Sequence, residues 1–330
     1  MPLNIHQHEL KTYGEIQLFA GTGCPELAGQ IAKYLDLSLS GRDLTVFPNE
    51  NLFVRLHKSV RGQDVYVIQS TSAPVHRNLM ELLIMLQTLR LDSAGRVTAV
   101  VPYLCYARSD KKDQPRVPIT ARLLAYMIEV AGADLYMTLD LHAGQIQGFF
   151  SIPGDVLTAF HILTDYVKGL MPYLRQPVVV AADLGFAKKG RNFAATINVP
   201  IAFIEKRRTG KDDHPMALTL IGDVSGRDVI IVDDEINTAG SVSEAVNQVR
   251  AHGARRIYLV SVHPILSSPA AERLSSLNVR EIITTDTVPI SADKRAILGG
   301  NLTVLSVAPL LGEVIQRAHE GRSVGEMFDE

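Results

Sequence analysis

The sequence has few cysteines and no long apolar run. Cys24 and Cys105 are the two cysteines in 330 residues and stand far apart, so we expect two small buried thiols and no disulfide framework. No apolar stretch approaches the roughly 20 residues that a membrane-spanning helix needs. The first residues, MPLNIHQHEL, have neither the basic start nor the apolar centre of a signal peptide. We therefore expect a cytoplasmic protein without a membrane partner.

The sequence also lacks an excess of charge of either sign. Its formal net charge is -2, so no overall basic field favours nucleic acid or an anionic membrane as a partner. Hydrophobic residues make up 46% and charged residues 21% of the chain, which is typical of a globular protein and excludes a disordered one. An anionic substrate must therefore be bound by local clusters of cationic or backbone donors.

Short Val- and Ile-rich runs alternate with longer amphipathic stretches along the chain. The runs mostly lack in-and-out alternation, as expected for strands covered on both faces. They cover residues 65–69, 97–101, 135–139, 178–181, 201–204, 229–232, 257–262, 282–285 and 302–305. Helical patterns between them cover residues 78–91, 120–131, 159–170 and 243–252. This alternation predicts an α/β protein with mostly parallel sheets flanked by helices.

The length allows two domains of ordinary size. Prolines and a glycine interrupt the chain around residues 152–177, and a strand–helix series stands on either side. We predict one domain over residues 1–158 and a second, similar in plan, over residues 159–330. The last amphipathic helix, from about residue 310, is predicted to pack back onto the first domain.

The most informative run is VIIVDDEINTAGS, residues 229–241. Four apolar residues predict a buried strand that ends at Asp233 and Asp234, before a turn of small residues that leads into a helix. Ligands of open α/β sheets bind at the carboxyl ends of strands. Consecutive N–H groups of a small-residue turn suit a phosphate, and paired carboxylates suit the hydroxyls of a ribose or a metal. The run therefore predicts a sugar phosphate site.

This run resembles the phosphoribosyl-binding motif that type I phosphoribosyltransferases share with ribose-phosphate diphosphokinases. The resemblance implies two phosphoribosyltransferase-like domains, with ribose 5-phosphate bound by the second. The implied ligand residues are Asp233, Asp234, Asn237, Thr238, Ala239, Gly240 and Ser241. The family usually has Asp where Asn237 stands. This motif alone does not separate the two families.

The run LDLHAGQIQGFF, residues 139–150, is similar to a signature of the diphosphokinases that phosphoribosyltransferases lack. The resemblance implies that His142 binds Mg²⁺ or a nucleotide phosphate. The run VVVAADLGFAKKGR, residues 178–191, resembles the family's diphosphate-binding loop and implies that Asp183 also holds the metal. In that loop Ala182 and Phe186 replace the usual Pro and second Gly.

Two further runs resemble the family's ATP-binding loops. PYLCYARSDKKDQPRVPIT, residues 102–120, implies nucleotide contacts from Arg108, Ser109, Lys111, Lys112 and Asp113, although the family usually has Gln where Ser109 stands. LTVFPNENLFVRL, residues 44–56, implies that Phe47, Asn49 and Asn51 contact adenine, although the two asparagines replace Asp and Glu. A neighbouring subunit contributes this loop in the family, so the resemblance implies a homo-oligomer, with dimers building a hexamer.

IEKRRTGKDDH, residues 204–214, resembles the family's catalytic loop. The matching positions imply catalytic roles for Lys206 and Arg208. A further arginine is usual where Gly210 stands, with Lys211 adjacent.

The resemblance covers about residues 14–328 and predicts an ATP-dependent diphosphotransferase with Mg²⁺ as its cofactor. Its N-terminal domain would bind ATP. A non-catalytic regulatory homologue that assembles with an active enzyme is the main alternative, because five family positions are altered at Asn49, Asn51, Phe186, Gly210 and Asn237. A phosphoribosyltransferase is disfavoured by the second α/β half, and a dinucleotide dehydrogenase by the lack of GxGxxG after an early strand.

Overall fold

The chain folds into two compact units. The computed structural model describes residues 13–183, 185–207 and 217–327, without the side chains of residues 206, 207, 217 and 218. Unit 1 consists of Met1–Thr138, Ala143–Val156 and Ala308–Glu330, and unit 2 consists of Leu139–His142 and Leu157–Val307. Each unit therefore combines segments that are distant in sequence. The assignment of ATP to one domain and of ribose 5-phosphate to the other stays a prediction.

Unit 1 is built on a five-stranded sheet with the order β1-β4-β5-β6-β7. These strands are β1 Ile16–Ala20, β4 Asp64–Ile68, β5 Arg96–Val101, β6 Leu135–Leu139 and β7 Gly154–Leu157. A separate antiparallel hairpin consists of β2 Arg42–Val46 and β3 Leu52–Leu56. The helices of this part of the chain are α1 Pro25–Tyr34, α2 Val75–Leu91 and α3 Thr120–Val130. Every residue of β4 is buried, as expected for a central strand covered on both faces.

The last helix, α9 Ala308–Glu320, packs on unit 1. A buried polar cluster on β4 and β5 binds its backbone. The Arg96 guanidinium donates to the carbonyl of Ala318 at 3.0 Å and forms a two-pronged ion pair with buried Asp64. Gly312 allows a close approach to α1, because a Cβ there would lie 2.3 Å from a ring carbon of Tyr34.

Unit 2 is built on a seven-stranded sheet with the order β10-β9-β8-β11-β12-β13-β14. Its strands are β8 Val178–Ala181, β9 Ile201–Arg207, β10 Ala217–Ile221, β11 Asp228–Ile236, β12 Arg256–Pro264, β13 Glu281–Thr285 and β14 Leu302–Leu305. All neighbours pair in parallel except β9 and β10, which are antiparallel. The helices are α4 Phe160–Leu170, α5 Ala187–Thr196, α6 Gly240–Ala251, α7 Ala270–Ser276 and α8 Ala292–Leu298.

The predicted fold class is confirmed, and every predicted strand is present. The elements absent from the prediction include β1, the β2–β3 hairpin and β10. The exposed hairpin and the edge strand β10 do not have the continuous apolar pattern of a buried strand, because one or both faces meet solvent.

Both cysteines are buried, and neither forms a disulfide. Within the described ranges, no helix combines the length and the apolar character that a membrane crossing demands.

Candidate functional site

The acidic pair lies inside the central strand of unit 2 and not beyond its end. The predicted strand over 229–232 was too short, because β11 runs to Ile236. β12 continues beside it, with Asp233 opposite Ser261 and Ile236 opposite Pro264. On the other side, β8 pairs with β11 only as far as Val232. The part of β11 beyond Val232 is therefore paired with β12 on one side. On its other side, the acidic pair faces the loop that follows β8.

Asp233 and Asp234 differ in their preference for the charged state. Burial, together with the negative charges of Asp234 and Asp183, raises the pKa of Asp233 well above its ordinary value. Burial would also raise the pKa of Asp234, but hydrogen bonds from His142 and Asp233 lower it to about 2. Asp234 is therefore the ionised member of the pair, and Asp233 retains a proton or requires a nearby cation.

The turn after β11 leads directly into α6. Ala239 is buried in the left-handed region with φ 60°, and α6 begins at Gly240 without a side-chain cap at its start. The first N–H groups of a helix have no partner within the helix, so this end favours an anion. In the same turn, the side-chain oxygen Oδ1 of Asn237 is buried and accepts no hydrogen bond from the residues that the structure describes. The turn thus offers both donors and an acceptor.

The segment 139–142 delivers His142 to the acidic pair. Asp140 adopts φ 40°, which is unusual for a residue with a side chain. Its carboxylate accepts hydrogen bonds from the Ala159 N–H at 2.6 Å and from the Thr158 hydroxyl at 2.9 Å. The Nδ1 of His142 lies 2.7 Å from Oδ2 of Asp234. Because Asp234 is ionised, Nδ1 donates its proton, and a neutral His142 ring carries its lone pair on Nε2.

Two side chains from other elements hold the carbonyl groups just before His142. Lys189 on α5 donates from Nζ to the Leu141 carbonyl at 3.2 Å. His263 on β12 is buried, and its Nε2 donates to the Asp140 carbonyl at 3.3 Å. Burial lowers the pKa of His263 to about 4, so the ring is neutral near pH 7. These contacts hold the segment in its strained backbone conformation.

Asp183 follows β8 at the same edge of the sheet. Its Oδ1 accepts a hydrogen bond from the N–H of Phe186 at 2.9 Å. Phe186 has φ -89° at the start of α5, a conformation open to any residue, and its buried ring packs against Phe160 with centroids 5.6 Å apart. The phenylalanine that replaces the family's second glycine is therefore accommodated by packing.

Only part of the predicted catalytic loop can be placed. Lys206 lies on β9 opposite Leu218, but its side chain is outside the described part, as is the whole of Arg208. β9 runs parallel to β8, which runs parallel to β11. The carboxyl end of β9 therefore lies at the edge that carries Asp233, and two strand spacings correspond to about 10 Å.

The predicted nucleotide loop of unit 1 lies between β5 and α3. Arg108, Lys111, Lys112 and Asp113 are exposed. Ser109 is partly buried, and its Oγ accepts a hydrogen bond from the Thr120 N–H at 3.2 Å. Ser109, which stands where the family usually has glutamine, therefore accepts a hydrogen bond from the first backbone N–H of α3.

The three predicted adenine contacts lie at the tip of the β2–β3 hairpin. Asn49 accepts a hydrogen bond from the N–H of Asn51 at 3.2 Å, which shapes the turn. Phe47 is 44% exposed, and Phe53 beside it on β3 is 48% exposed. An exposed aromatic pair on a two-stranded hairpin is available for stacking on a flat ring or for contact with another chain.

Comparisons with known proteins cover almost the whole chain. Residues 16–132 match the N-terminal domain of ribose phosphate pyrophosphokinase, and residues 206–329 match a phosphoribosyl synthetase-associated domain. The ribose-phosphate pyrophosphokinase of Mycobacterium bovis is 44% identical over 95% of this chain and 96% of its own length. That of Caldanaerobacter subterraneus subsp. tengcongensis is 44% identical over 95% of this chain and 98% of its own length. The chain belongs to the ribose-phosphate pyrophosphokinase family.

A solved structure of this family shares the fold. The crystal structure of phosphoribosylpyrophosphate synthetase from Mycobacterium smegmatis matches with a TM-score of 0.88 at 42% identity, over 93% of this chain and 99% of that one. The predicted resemblance is thereby confirmed, and the chain is an enzyme of this family. The role of each predicted site residue in this chain stays a proposal.

Sequence patterns assign no role to Lys189 or His263, although both contact the segment just before His142. Lys189 belongs to a Lys-Lys pair on a helix, and such a pair usually faces solvent. His263 lies in β12 two residues after Ser261, so a polar residue at this place in the sequence is no specific signal for the contact. Its hydrogen bond to the Asp140 carbonyl joins positions 123 apart in sequence, so only the folded structure reveals it.

Proposed function

We propose that this pyrophosphokinase transfers the diphosphate of ATP to the 1-hydroxyl of ribose 5-phosphate, giving 5-phosphoribosyl 1-diphosphate and AMP. The observation that carries the proposal is the acidic pair of β11 followed by the turn into α6, at the carboxyl edge of the central sheet in unit 2. A sugar phosphate matches both features, because its phosphate suits the turn and its neighbouring hydroxyls suit the acidic pair.

Ribose 5-phosphate would place its phosphate in the turn and its ring hydroxyls on the acidic pair. The contacting residues would be Asp233, Asp234, Asn237, Thr238, Ala239, Gly240 and Ser241. Asp234 is ionised and held by His142, so it is oriented before the sugar arrives. A sugar hydroxyl that donates to either carboxylate replaces hydrogen bonds that the sugar made with water.

Asn237 fits this site although the family usually has aspartate there. Among the described residues its buried Oδ1 has no hydrogen-bond donor, which is costly unless a ligand supplies one. A hydroxyl of the sugar is such a donor. An asparagine also avoids a third negative charge beside Asp233, whose pKa is already raised by its acidic neighbours. We expect the substitution to keep the hydroxyl contact and to change the dependence of the reaction on the cation.

The residues at this edge fit Mg²⁺. Within the described ranges no group of three or more potential metal-binding side chains occurs, but Mg²⁺ is usually held by one or two protein ligands together with substrate phosphates and water. His142 and Asp183 would supply the protein ligands. Burial and the negative charges of Asp234 and Asp183 raise the pKa of Asp233, and a cation would offset those charges. When bound, Mg²⁺ would neutralise phosphate charge and polarise the β-phosphorus.

ATP would be bound by the predicted loops of unit 1. The exposed cations Arg108, Lys111 and Lys112, with Ser109, Asp113 and also His142, would contact the nucleotide. Phe47 would stack on adenine while Asn49 and Asn51 offer donors and acceptors to its edge. We propose that the hairpin tip serves a neighbouring subunit in a homo-oligomer of dimers that build a hexamer, since its exposed aromatic pair is suited to contact outside its own chain.

Lys206 and Arg208 would stabilise the charge that develops during transfer. The ribose 1-oxygen forms a bond to the β-phosphorus, and the bond from that phosphorus to the α–β bridging oxygen breaks. The bridging oxygen leaves with AMP and takes the negative charge, while the 1-hydroxyl loses its proton. Enzymes accelerate this type of reaction mainly by positioning and charge stabilisation. Removal of one such donor typically costs 100- to 1,000-fold in turnover.

The test is AMP release by the purified chain. We expect AMP to form only when ATP, ribose 5-phosphate and Mg²⁺ are all present. Lys206→Ala should lower turnover about 100-fold or more with little change in the KM for ribose 5-phosphate. Lys168→Ala is the matched control, because Lys168 is an exposed cation of unit 2 paired with Asp165 on α4, and it should retain wild-type turnover.

Two results would contradict the proposal. Wild-type-like turnover in Lys206→Ala would exclude the assigned role of that residue. A pure chain that releases no AMP, but stimulates an active pyrophosphokinase when mixed with it, would instead establish a regulatory homologue.

A further inference from the structure

A second polar cavity lies at the amino ends of the strands of unit 2. It has a volume of about 250 Å³. Its walls come from the connection between α6 and β12 and from the residues just before β13 and β14. The lining residues are Arg250, Ala254, Arg255, Arg256, Ile257, Asn278, Val279, Arg280 and Asn301. In a parallel sheet this edge is opposite the one that carries Asp233 and Asp234, so the cavity is separate from the candidate active site.

The cavity is strongly cationic in a chain that is acidic overall. Four arginines and no acidic residue line it, whereas the whole chain has a formal net charge of -2. Like charges that converge on one cavity repel one another, and an anion bound between them removes that repulsion. The concentration of arginine is local, so it favours a ligand of limited size and not an extended polyanion.

Two of the arginines are held by the protein. Arg250 donates from Nη2 to the Leu277 carbonyl at 2.6 Å. Arg255 forms an ion pair with Asp228, which is fully buried at the start of β11. Their positive charges therefore have fixed positions at the cavity wall, and no ordering of these two side chains is needed when a ligand binds.

The other two arginines have unused donors. Arg256 begins β12, and Arg280 immediately precedes β13 on the neighbouring strand. Both are exposed. Across the described ranges, neither guanidinium forms a hydrogen bond or ion pair, although Arg280 uses its backbone N–H to bind the Ile257 carbonyl at 2.8 Å. Their guanidinium groups are thus available for a ligand.

We propose that this cavity binds a compact oxyanion with two phosphate groups, with inorganic diphosphate as the best-sized ligand. A guanidinium presents paired N–H donors that match one phosphate group, so Arg256 and Arg280 together match two. Asn278 and Asn301 add neutral donors at the wall. No aromatic ring lines the cavity, and its volume is below the roughly 300–1,000 Å³ typical of sites for larger ligands, so a nucleobase has no place in it.

Diphosphate binding to the full chain, measured by isothermal titration calorimetry, tests the proposal. The titration is run in EDTA, about 0.15 M salt and saturating ribose 5-phosphate, so that Mg²⁺ is absent and the proposed phosphate turn of the candidate active site is occupied. We expect saturable binding with one site per chain. Inorganic phosphate should bind at least tenfold more weakly, because it engages one guanidinium instead of two.

Arg256→Ala/Arg280→Ala should weaken diphosphate binding at least 100-fold, since each charged hydrogen-bonding partner contributes about tenfold or more. Arg256→Lys/Arg280→Lys keeps the charge without the planar fork and should give an intermediate affinity. Lys33→Ala/Arg77→Ala removes two exposed cations of unit 1 and is the control for net charge. It should bind diphosphate as the wild type does.

Several outcomes would overturn the proposal. They are an absence of saturable diphosphate binding in EDTA, and binding that survives Arg256→Ala/Arg280→Ala. Equal affinity for phosphate and diphosphate would contradict the use of two arginines. A nucleotide that binds more tightly than diphosphate at this cavity would contradict the size argument. Circular dichroism and the melting temperature of each variant establish that it is folded, so lost binding is assigned to the removed side chains.

Discussion

The two edges of the unit 2 sheet carry opposite charge on neighbouring strands. Near the carboxyl edge, β11 carries Asp233 and Asp234, and His142 contacts the second of these carboxylates. At the amino edge, β12 begins at Arg256, and arginines dominate the cavity wall. The acidic edge is organised by buried hydrogen bonds, whereas the basic edge presents two guanidinium groups without a protein partner in the described ranges. One sheet therefore positions the two proposed sites, which differ in their chemistry.

Because the two edges differ in charge, they require ligands of different chemistry. The acidic edge requires hydroxyl donors and a cation, because burial and the negative charges of Asp234 and Asp183 raise the pKa of Asp233. The basic edge requires an anion. If the comparison is right, substitutions at one edge alter the chemistry of that edge and leave binding at the other unchanged.

The largest expected effect comes from neutralising the acidic pair. Asp233→Asn/Asp234→Asn removes the ionised acceptor Asp234 and also the carboxyl of Asp233, which is charged when a cation lies nearby. At about 1.5–3 kcal/mol for each charged hydrogen bond, kcat/KM for ribose 5-phosphate should fall 100-fold or more in the AMP-release assay. Diphosphate binding in EDTA should remain as in the wild type. A simultaneous loss of diphosphate binding would mean that the edges are not independent.

A smaller effect, on the stability of the fold, is expected from His263. Its buried ring donates a hydrogen bond to the Asp140 carbonyl near the acidic edge. Its pKa in the folded protein is about 4, below the ordinary 6.5, because burial disfavours the charged ring. The unfolded chain therefore binds more protons between these values. Neutral His263 therefore stabilises the fold fully above about pH 6.5, and this stabilisation is lost as pH falls towards 4.

Urea unfolding at several pH values measures this contribution. Between pH 7 and pH 4, the wild type should lose about 3 kcal/mol more unfolding free energy than His263→Gln, by the relation of about 1.4 kcal/mol to each pKa unit. His252→Gln is the control, since His252 is exposed on the same unit, and it should follow the wild type. Parallel pH profiles for wild type and His263→Gln would exclude a buried neutral ring.

The smallest expected effect is that of the basic edge on catalysis. Arg256→Ala/Arg280→Ala leaves the acidic pair, its turn and His142 unchanged. Turnover at saturating ATP, ribose 5-phosphate and Mg²⁺, with no added diphosphate, should stay within about twofold of the wild type, as is usual for surface substitutions remote from a site. A tenfold loss would show that the arginines act on the reaction itself and would remove the distinction between the edges.

The sequence predicts those features that depend on neighbouring residues. Continuous apolar runs identified the buried strands, and the run 229–241 predicted the strand that leads through a turn into α6, because acids and small residues follow each other directly. The length of β11 was underestimated, because Asp233 and Asp234 look like a strand end until the partner strand β12 is known. Lys189 and His263 were missed for the same reason, since their contacts at Leu141 and Asp140 are long-range.

The fate of the β-phosphorus of ATP tests the central claim most directly. The purified chain is incubated with Mg²⁺, ribose 5-phosphate and ATP labelled at the β-phosphorus, and the products are separated. Diphosphate transfer predicts that the label moves to the sugar phosphate in step with the formation of unlabelled AMP. Label that remains in ADP, or a sugar product without label, would contradict the assignment of this site to diphosphate transfer.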